Sequence, residues 1–151
     1  MSYHMHILLD NEYNPDMDIY SFKEILVKEY LKTWLGERPS MEYSRVPFGP
    51  RSNYDSLILR WSDTWWINIY FETIDTNENI KQDIEHIAHK CVNHERAIAI
   101  SKMTRRIVFL TKADPAPEYA HTDYIIELMT FFENIPGTVI FDPQNDKIIY
   151  A

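Results

Sequence analysis

Residues 86–94, His-Ile-Ala-His-Lys-Cys-Val-Asn-His, gather three of the six histidines and the single cysteine of the chain within nine positions. Imidazole and thiolate at that density are the donor set of a zinc site, so the first chemistry to weigh is metal binding or metal-assisted catalysis. Helical spacing works against it. At about 100° per residue, His86 and His89 turn away from the apolar stripe of Ile84, Ile87 and Cys91, so the thiol and the imidazoles diverge. His94 falls past the helix end and approaches His89 or Cys91 only if the loop bends back. A solvated helical face is the reading the spacing favours. A metal site at His86, His89 and His94, or a small histidine-dependent metal-binding protein or enzyme that also uses His4 and His6, is the alternative. His4 and His6 share one face of a strand, but two ligands fall short of the usual three or four, and they read as edge or partner-facing polar residues. No cofactor or metal is expected.

The other catalytic chemistries lack their residues. There is no Gly-x-Ser-x-Gly elbow, and Cys91 sits on an apolar stripe, where burial raises a thiol's pKa and silences it. With only Gly36, Gly49 and Gly137, the chain has neither the dinucleotide fingerprint nor a P-loop. The carboxylate pairs Asp16 with Asp18 and Asp142 with Asp146 stand where turns call for Asp or Asn in any case. Lys102, Arg105, Arg106 and Lys112 form the one basic patch. Without interleaved aromatics in an acidic chain they read as a solvated hairpin tip, not a nucleic-acid platform.

The elements that would position these residues can be read from periodicity. Tyr3 to Leu9 is a strand, and the acidic stretch Asp10 to Asp18 is a loop. Asp18 or Ser21 caps a helix with apolar positions Phe22, Ile25, Leu26, Tyr30 and Trp34, stopped at Gly36. Met41 to Val46 is a short strand and Pro47 to Asn53 a loop. A second helix enters through Asp75, Thr76 or Asn77 and carries Ile80, Ile84, Ile87, Ala88, Cys91 and Val92 on one stripe. Ala97 to Ile100 and Ile107 to Thr111 read as a hairpin around Lys102 to Arg106. Asp114 to Pro117 opens a third helix with Tyr124, Ile125, Leu128, Met129, Phe132 and Ile135 inward, ended by Pro136 and Gly137. Thr138 to Phe141 and Lys147 to Tyr150 close the chain as strands about the turn Asp142 to Asp146. Hairpins dominate over single strand–helix alternation. The fold class is α+β, a mainly antiparallel sheet of about seven or eight strands with three helices packed mostly on one face.

Between the first two helices, Leu57 to Glu72 holds three of the four tryptophans and alternates with period two on both arms of a tight turn. Leu57, Leu59, Trp61, Trp65, Ile67, Ile69 and Phe71 belong to a core. The opposite face carries Ile58, Arg60, Trp66, Asn68, Tyr70 and Glu72, with Asp63 at the turn. Large aromatic rings ringed by polar groups are the side chains that dominate association energies. Were helices to cover both faces of the sheet, Trp66 and Tyr70 would be core instead. Arg60 and Glu72 argue for exposure, since unpaired burial of either costs several kcal/mol.

At 151 residues the chain fits one globular domain, residues 1–151, and its 45% hydrophobic content suffices for a core. Fifteen Lys and Arg against 23 Asp and Glu give a net charge of −8, which disfavours nucleic acid and anionic membranes and suits solubility or a basic partner. One cysteine forms no internal disulfide, and the start MSYHMHILLD lacks a signal peptide's pattern. No run approaches the roughly 18 apolar residues that span a bilayer. A cytoplasmic location is expected.

In overall character the chain resembles the immunity proteins that bacteria encode beside secreted polymorphic or contact-dependent toxins. It shares with them a small acidic α+β domain that is aromatic-rich, glycine-poor and without catalytic motifs, ending here in the hairpin IPGTVIFDPQNDKIIY. The resemblance implies a stoichiometric, non-catalytic inhibitor that binds a cognate toxin domain and occludes its active site. An acidic surface would suit a basic partner such as a nuclease toxin, through steered association. The partner-binding residues expected are Arg60, Asp63, Trp66, Asn68, Tyr70 and Glu72 on the hairpin and Asp10, Glu12, Asp16 and Asp18 on the loop. A self-associating subunit of a larger complex, meeting its own copy through the aromatic face, is the remaining reading.

Overall fold

A computed structural model of the chain describes residues 2–31, 38–44, 56–75, 77–112 and 122–151. Seven strands form one antiparallel sheet: β1 (Ser2–Leu9), β2 (Ser40–Ser44), β3 (Ser56–Arg60), β4 (Trp66–Thr73), β5 (Arg105–Lys112), β6 (Val139–Asp142) and β7 (Lys147–Tyr150). Their order across the sheet is β2-β3-β4-β5-β1-β6-β7. Among the described residues four helices accompany them: α1 (Ile19–Ile25), α2 (Asn79–Lys90), α3 (His94–Ser101) and α4 (Thr122–Glu133). Helix α1 runs without a break into one π-helical turn, Leu26–Tyr30.

The expected α+β class and strand count hold, whereas the helices differ in number and placement. The apolar run Ala97 to Ile100 is not a strand but part of α3. Asn93 is in extended conformation and its side chain accepts from the Arg96 amide at 2.8 Å, a cap that starts a helix. A four-residue apolar run fits either period, and this cap decides it. Consequently Lys102 to Arg106 is no hairpin tip. Helix α2 also ends sooner than its stripe predicts, at Lys90. Cys91 is its half-buried, extended C-cap, and Val92 is 99% exposed. Trp34, Gly36, the loop Pro47 to Asn53 and the opening Asp114 to Pro117 lie outside the described residues.

Alternation along the strands builds two cores on opposite faces. On one face Met5, Ile7, Leu9, Leu57, Leu59, Trp61, Trp65, Ile67, Ile69, Ile107 and Phe109 pack against Phe22 and Leu26 of α1 and its π turn and Leu128, Phe131 and Phe132 of α4. Phe22 stacks on Phe132 with ring centroids 5.8 Å apart. On the other face Leu8, Val139 and Phe141 meet Ile80, Ile84 and Ile87 of α2, Ile100 of α3 and Met103. Helices therefore lie on both faces, not mostly on one. The second pair covers the β1-β6-β7 half and reaches the β4–β5 pair at one end only, where Asp83 of α2 meets Arg106. Elsewhere the β2-β3-β4-β5 half of that face carries no helix among the described residues.

Local sequence explains the joints. Asp18 accepts from the Ser21 amide at 2.8 Å while the Ser21 hydroxyl accepts from the Asp18 amide at 3.0 Å, a reciprocal box that starts α1. Gly137 ends the turn after α4 with φ +77, where a Cβ would stand 2.7 Å from both Asp10 Cβ and Tyr13 Cδ2. Asp142 is buried and its carboxylate accepts from Gln144 N and Asn145 N at 3.0 and 3.3 Å, folding the β6–β7 turn. The longest helix among the described residues is too short and too polar to cross a membrane.

Candidate functional site

Strand register assembles the helix-free half of the sheet face from residues far apart in sequence. Glu42, Ile58, Asn68, Leu110 and His4 form one row across β2, β3, β4, β5 and β1. Toward the β3–β4 turn lies Arg60 beside Trp66, and on the other side lie Ser56, Tyr70, Val108 and His6. The last row is Glu72 beside Arg106. Trp66, Asn68 and Tyr70 are half-buried, as are Arg60 and Glu72, so the rings are neither sealed core nor free of their surroundings. The structure thus brings five of the expected residues onto one strip. Asp63 sits at its end, exposed in the turn between β3 and β4.

The strip is held in shape by charge. Arg60 donates to Glu42 at 3.2 Å and lies 4.7 Å over the Trp66 ring, fixing guanidinium and indole in one stack. At the far end Arg106, only 6% exposed, donates to Glu72 at 2.7 Å and to Asp83 of α2 at 2.7 Å. Two carboxylates and the burial of the guanidinium make this a structural clamp between β4, β5 and α2. Arg106 is therefore not a solvated tip residue, and Glu72 is committed to it. Arg105 is likewise engaged: it donates to the Asn11 side chain at 2.9 Å and to the carbonyls of Met17, at 2.7 Å, and Asn14.

His6 stands beside this clamp, its Nδ1 3.5 Å from Arg106 Nη1 and its ring 6.5 Å from that of Phe141. Burial and then the Arg106 charge push its pKa down to about 4, so the imidazole is neutral at physiological pH. His4 lies half-buried in the row next to it. The expectation of an edge position fails because β1 is the fifth strand of seven, with neighbours on both sides. The polar face of β1 nevertheless continues the strip. Alternation of His4 and His6 with Met5 and Ile7 carried the signal for that face; the partners of His6 carried none, being 100 residues away at Arg106.

The acidic loop is a separate place with separate duties. It follows Leu9, which pairs with Arg105 at the Thr73 end of β4, whereas Asp63 adjoins the Trp66 end, about 23 Å away along eight residues of strand. Asp10 accepts from the Glu12 amide at 2.9 Å and faces Arg96 at 3.9 Å, and Asp18 caps α1. Glu12 and Asp16 are exposed.

The histidines of residues 86–94 stand in separate elements, His86 and His89 on α2 and His94 on α3. His86 bonds Asp146 at 2.6 Å, with Lys90 on the other carboxylate oxygen at 3.0 Å, and these two contacts hold the Asp146 carboxyl below the usual range. His89 is exposed on α2 and His94 is the first residue of α3. Among the described residues no group of three or more His, Cys, Asp and Glu is placed to hold a metal ion. Comparison with known proteins finds no matching family model, no matching curated protein and no matching solved structure.

Proposed function

We propose that this chain is a non-catalytic protein-binding module, an immunity protein that binds and neutralises a cognate bacterial toxin domain, and that Arg60, Trp66, Asn68 and Tyr70 are its contact strip. One observation carries the reading: half of a sheet face bears Trp, Tyr, Arg and Asn at half exposure, beside a half that α2 and α3 cover with aliphatic side chains. Trp, Tyr and Arg are the residues enriched at energetic centres of interfaces, and a stacked Arg60–Trp66 pair loses little further freedom on binding. The net charge of −8 supplies long-range attraction for a basic partner. Asp10 and Asp18 serve the fold, so the loop contributes at most Glu12 and Asp16, at the opposite end of the strand from Asp63.

The test is co-expression with the neighbouring reading frame, with rescue from toxicity and co-purification as readouts. Trp66→Ala and Arg60→Ala are each expected to weaken binding by roughly 30-fold, as interface anchors do, while melting temperature stays near that of the parent. Binding and melting temperature falling together would make these rings core and sink the strip. Absence of both binding and rescue would refute immunity against that neighbour.

A further inference from the structure

A cleft of about 630 Å³ opens on the helical side of the molecule, away from the strip, between the acidic loop, the π turn and α4. Its apolar lining comes from Met17, Ile25, Phe131 and Ile135, and its volume falls within the roughly 300–1,000 Å³ of small-ligand sites. Glu29 enters from the π turn and Glu127 from α4, and no Lys or Arg is among the described residues that line it. Tyr30 packs its ring 5.4 Å from Phe131 and donates its hydroxyl to the Tyr124 carbonyl at 3.4 Å. Burial, and then the charge of Glu127, raise the Tyr30 pKa.

The wall itself is unusual. Leu31 N donates to Leu26 O at 2.9 Å, a five-residue step that widens the helix by one residue just where it lines the cavity. Such turns are rare and gather at functional sites, because the extra residue re-aims the side chains beside it. Glu29 and Tyr30 belong to this turn and line the cleft.

We propose that this cleft binds an alkylammonium group, a positive head on an aliphatic stem. The head meets the Glu29 and Glu127 carboxylates that line the cleft, and the stem covers Met17 and Ile25. A neutral or anionic molecule of the same length gains only the apolar part. The chemistry is shared by free aliphatic amines and by a lysine side chain. The site does not depend on the sheet strip, so either stands if the other fails.

Titration of the full-length protein with 1,5-diaminopentane and with blocked Gly-Lys-Gly peptide, followed by amide NMR shifts, tests it; 1,5-pentanediol is the neutral control. Saturable shifts at Glu29, Tyr30, Thr130 and Phe131 with either amine, and not with the diol, are expected. The tighter of the two amines identifies the source. Glu127→Gln and Glu29→Gln should each weaken binding about five-fold, the scale of a partly screened ion pair, with melting unchanged because both residues are exposed. Thr130→Trp, also at an exposed position, should block the cleft. Equal response to the diol, no response to either amine, or unaltered affinity in both glutamine variants would overturn the proposal.

Discussion

His6 offers a pH-dependent stability whose size follows from its surroundings. The ring lies on an interior strand, partly covered, with Arg106 at 3.5 Å and Phe141 alongside, and its pKa in the folded chain is pushed down to about 4 against 6.5 for the free side chain. Arg106 and His4 disfavour the imidazolium, whereas Asp83 favours it and limits the effect. Folding thus prefers the neutral ring. Its contribution is complete above pH 6.5, where neither folded nor unfolded chain is protonated, and is lost as pH falls from 6.5 towards 4, where only the unfolded chain takes the proton. At full linkage that gap is worth about 3.4 kcal/mol; screening of a partly accessible ring brings the expectation to about 1–2 kcal/mol. Urea unfolding followed by tryptophan fluorescence at pH 7.5, 6 and 5 measures it, with His6→Phe as the reference that keeps the ring and removes the proton. The parent should lose about 1 kcal/mol more than His6→Phe between pH 7.5 and 5. Parallel profiles, or a variant that falls more steeply than the parent, would refute the placement of a neutral imidazole beside Arg106.

Arg106→Met should destabilise the chain by about 1–2 kcal/mol, seen as a lower urea midpoint, because Glu72 and the partly exposed Asp83 lose their shared cation. Gly137→Ala should cost more than about 1 kcal/mol by the same assay, since φ +77 disfavours any Cβ and this one meets Asp10 and Tyr13 at 2.7 Å. Asp18→Ala opens the reciprocal cap of α1 and should cost about 1 kcal/mol, whereas Asp18→Asn should restore most of it.

What the sequence made legible was whatever repeats locally. Period-two alternation placed Leu57, Leu59, Ile67 and Ile69 in the core and Trp66, Asn68 and Tyr70 on the opposite face, because a strand's geometry leaves no other choice; Trp61 and Trp65, just outside β3 and β4, are buried as the same pattern expects. The stop at Gly137 and the turn at Asp142 were legible for the same reason: each backbone shape demands its residue. Long-range facts were not. Nothing adjacent to Arg106 announces that its carboxylates come from Glu72 and Asp83, 34 and 23 residues earlier, so a buried clamp looked like a charged tip. The run Ala97 to Ile100 is too short to declare a period, and its cap at Asn93 lies outside it. The strip itself was half legible: Trp66 and Tyr70 follow from one strand, but their neighbours Glu42, Leu110 and His4 arrive only through register across five strands.

The order β2-β3-β4-β5-β1-β6-β7 has a consequence for how the chain is made. Strand β1 precedes the other six strands, yet its partners are residues 105–112 on one side and 139–141 on the other. One of its edges therefore stays open until β5 has been made and the other until β6, while β2, β3 and β4 can zip as neighbours in sequence. Non-local pairing of this kind slows folding and leaves an apolar strand, Met5 to Leu9, available to wrong partners in the meantime. Loss of residues 137–151 would remove β6 and β7 and leave β1 as a sheet edge, turning an interior strand into a site for aggregation.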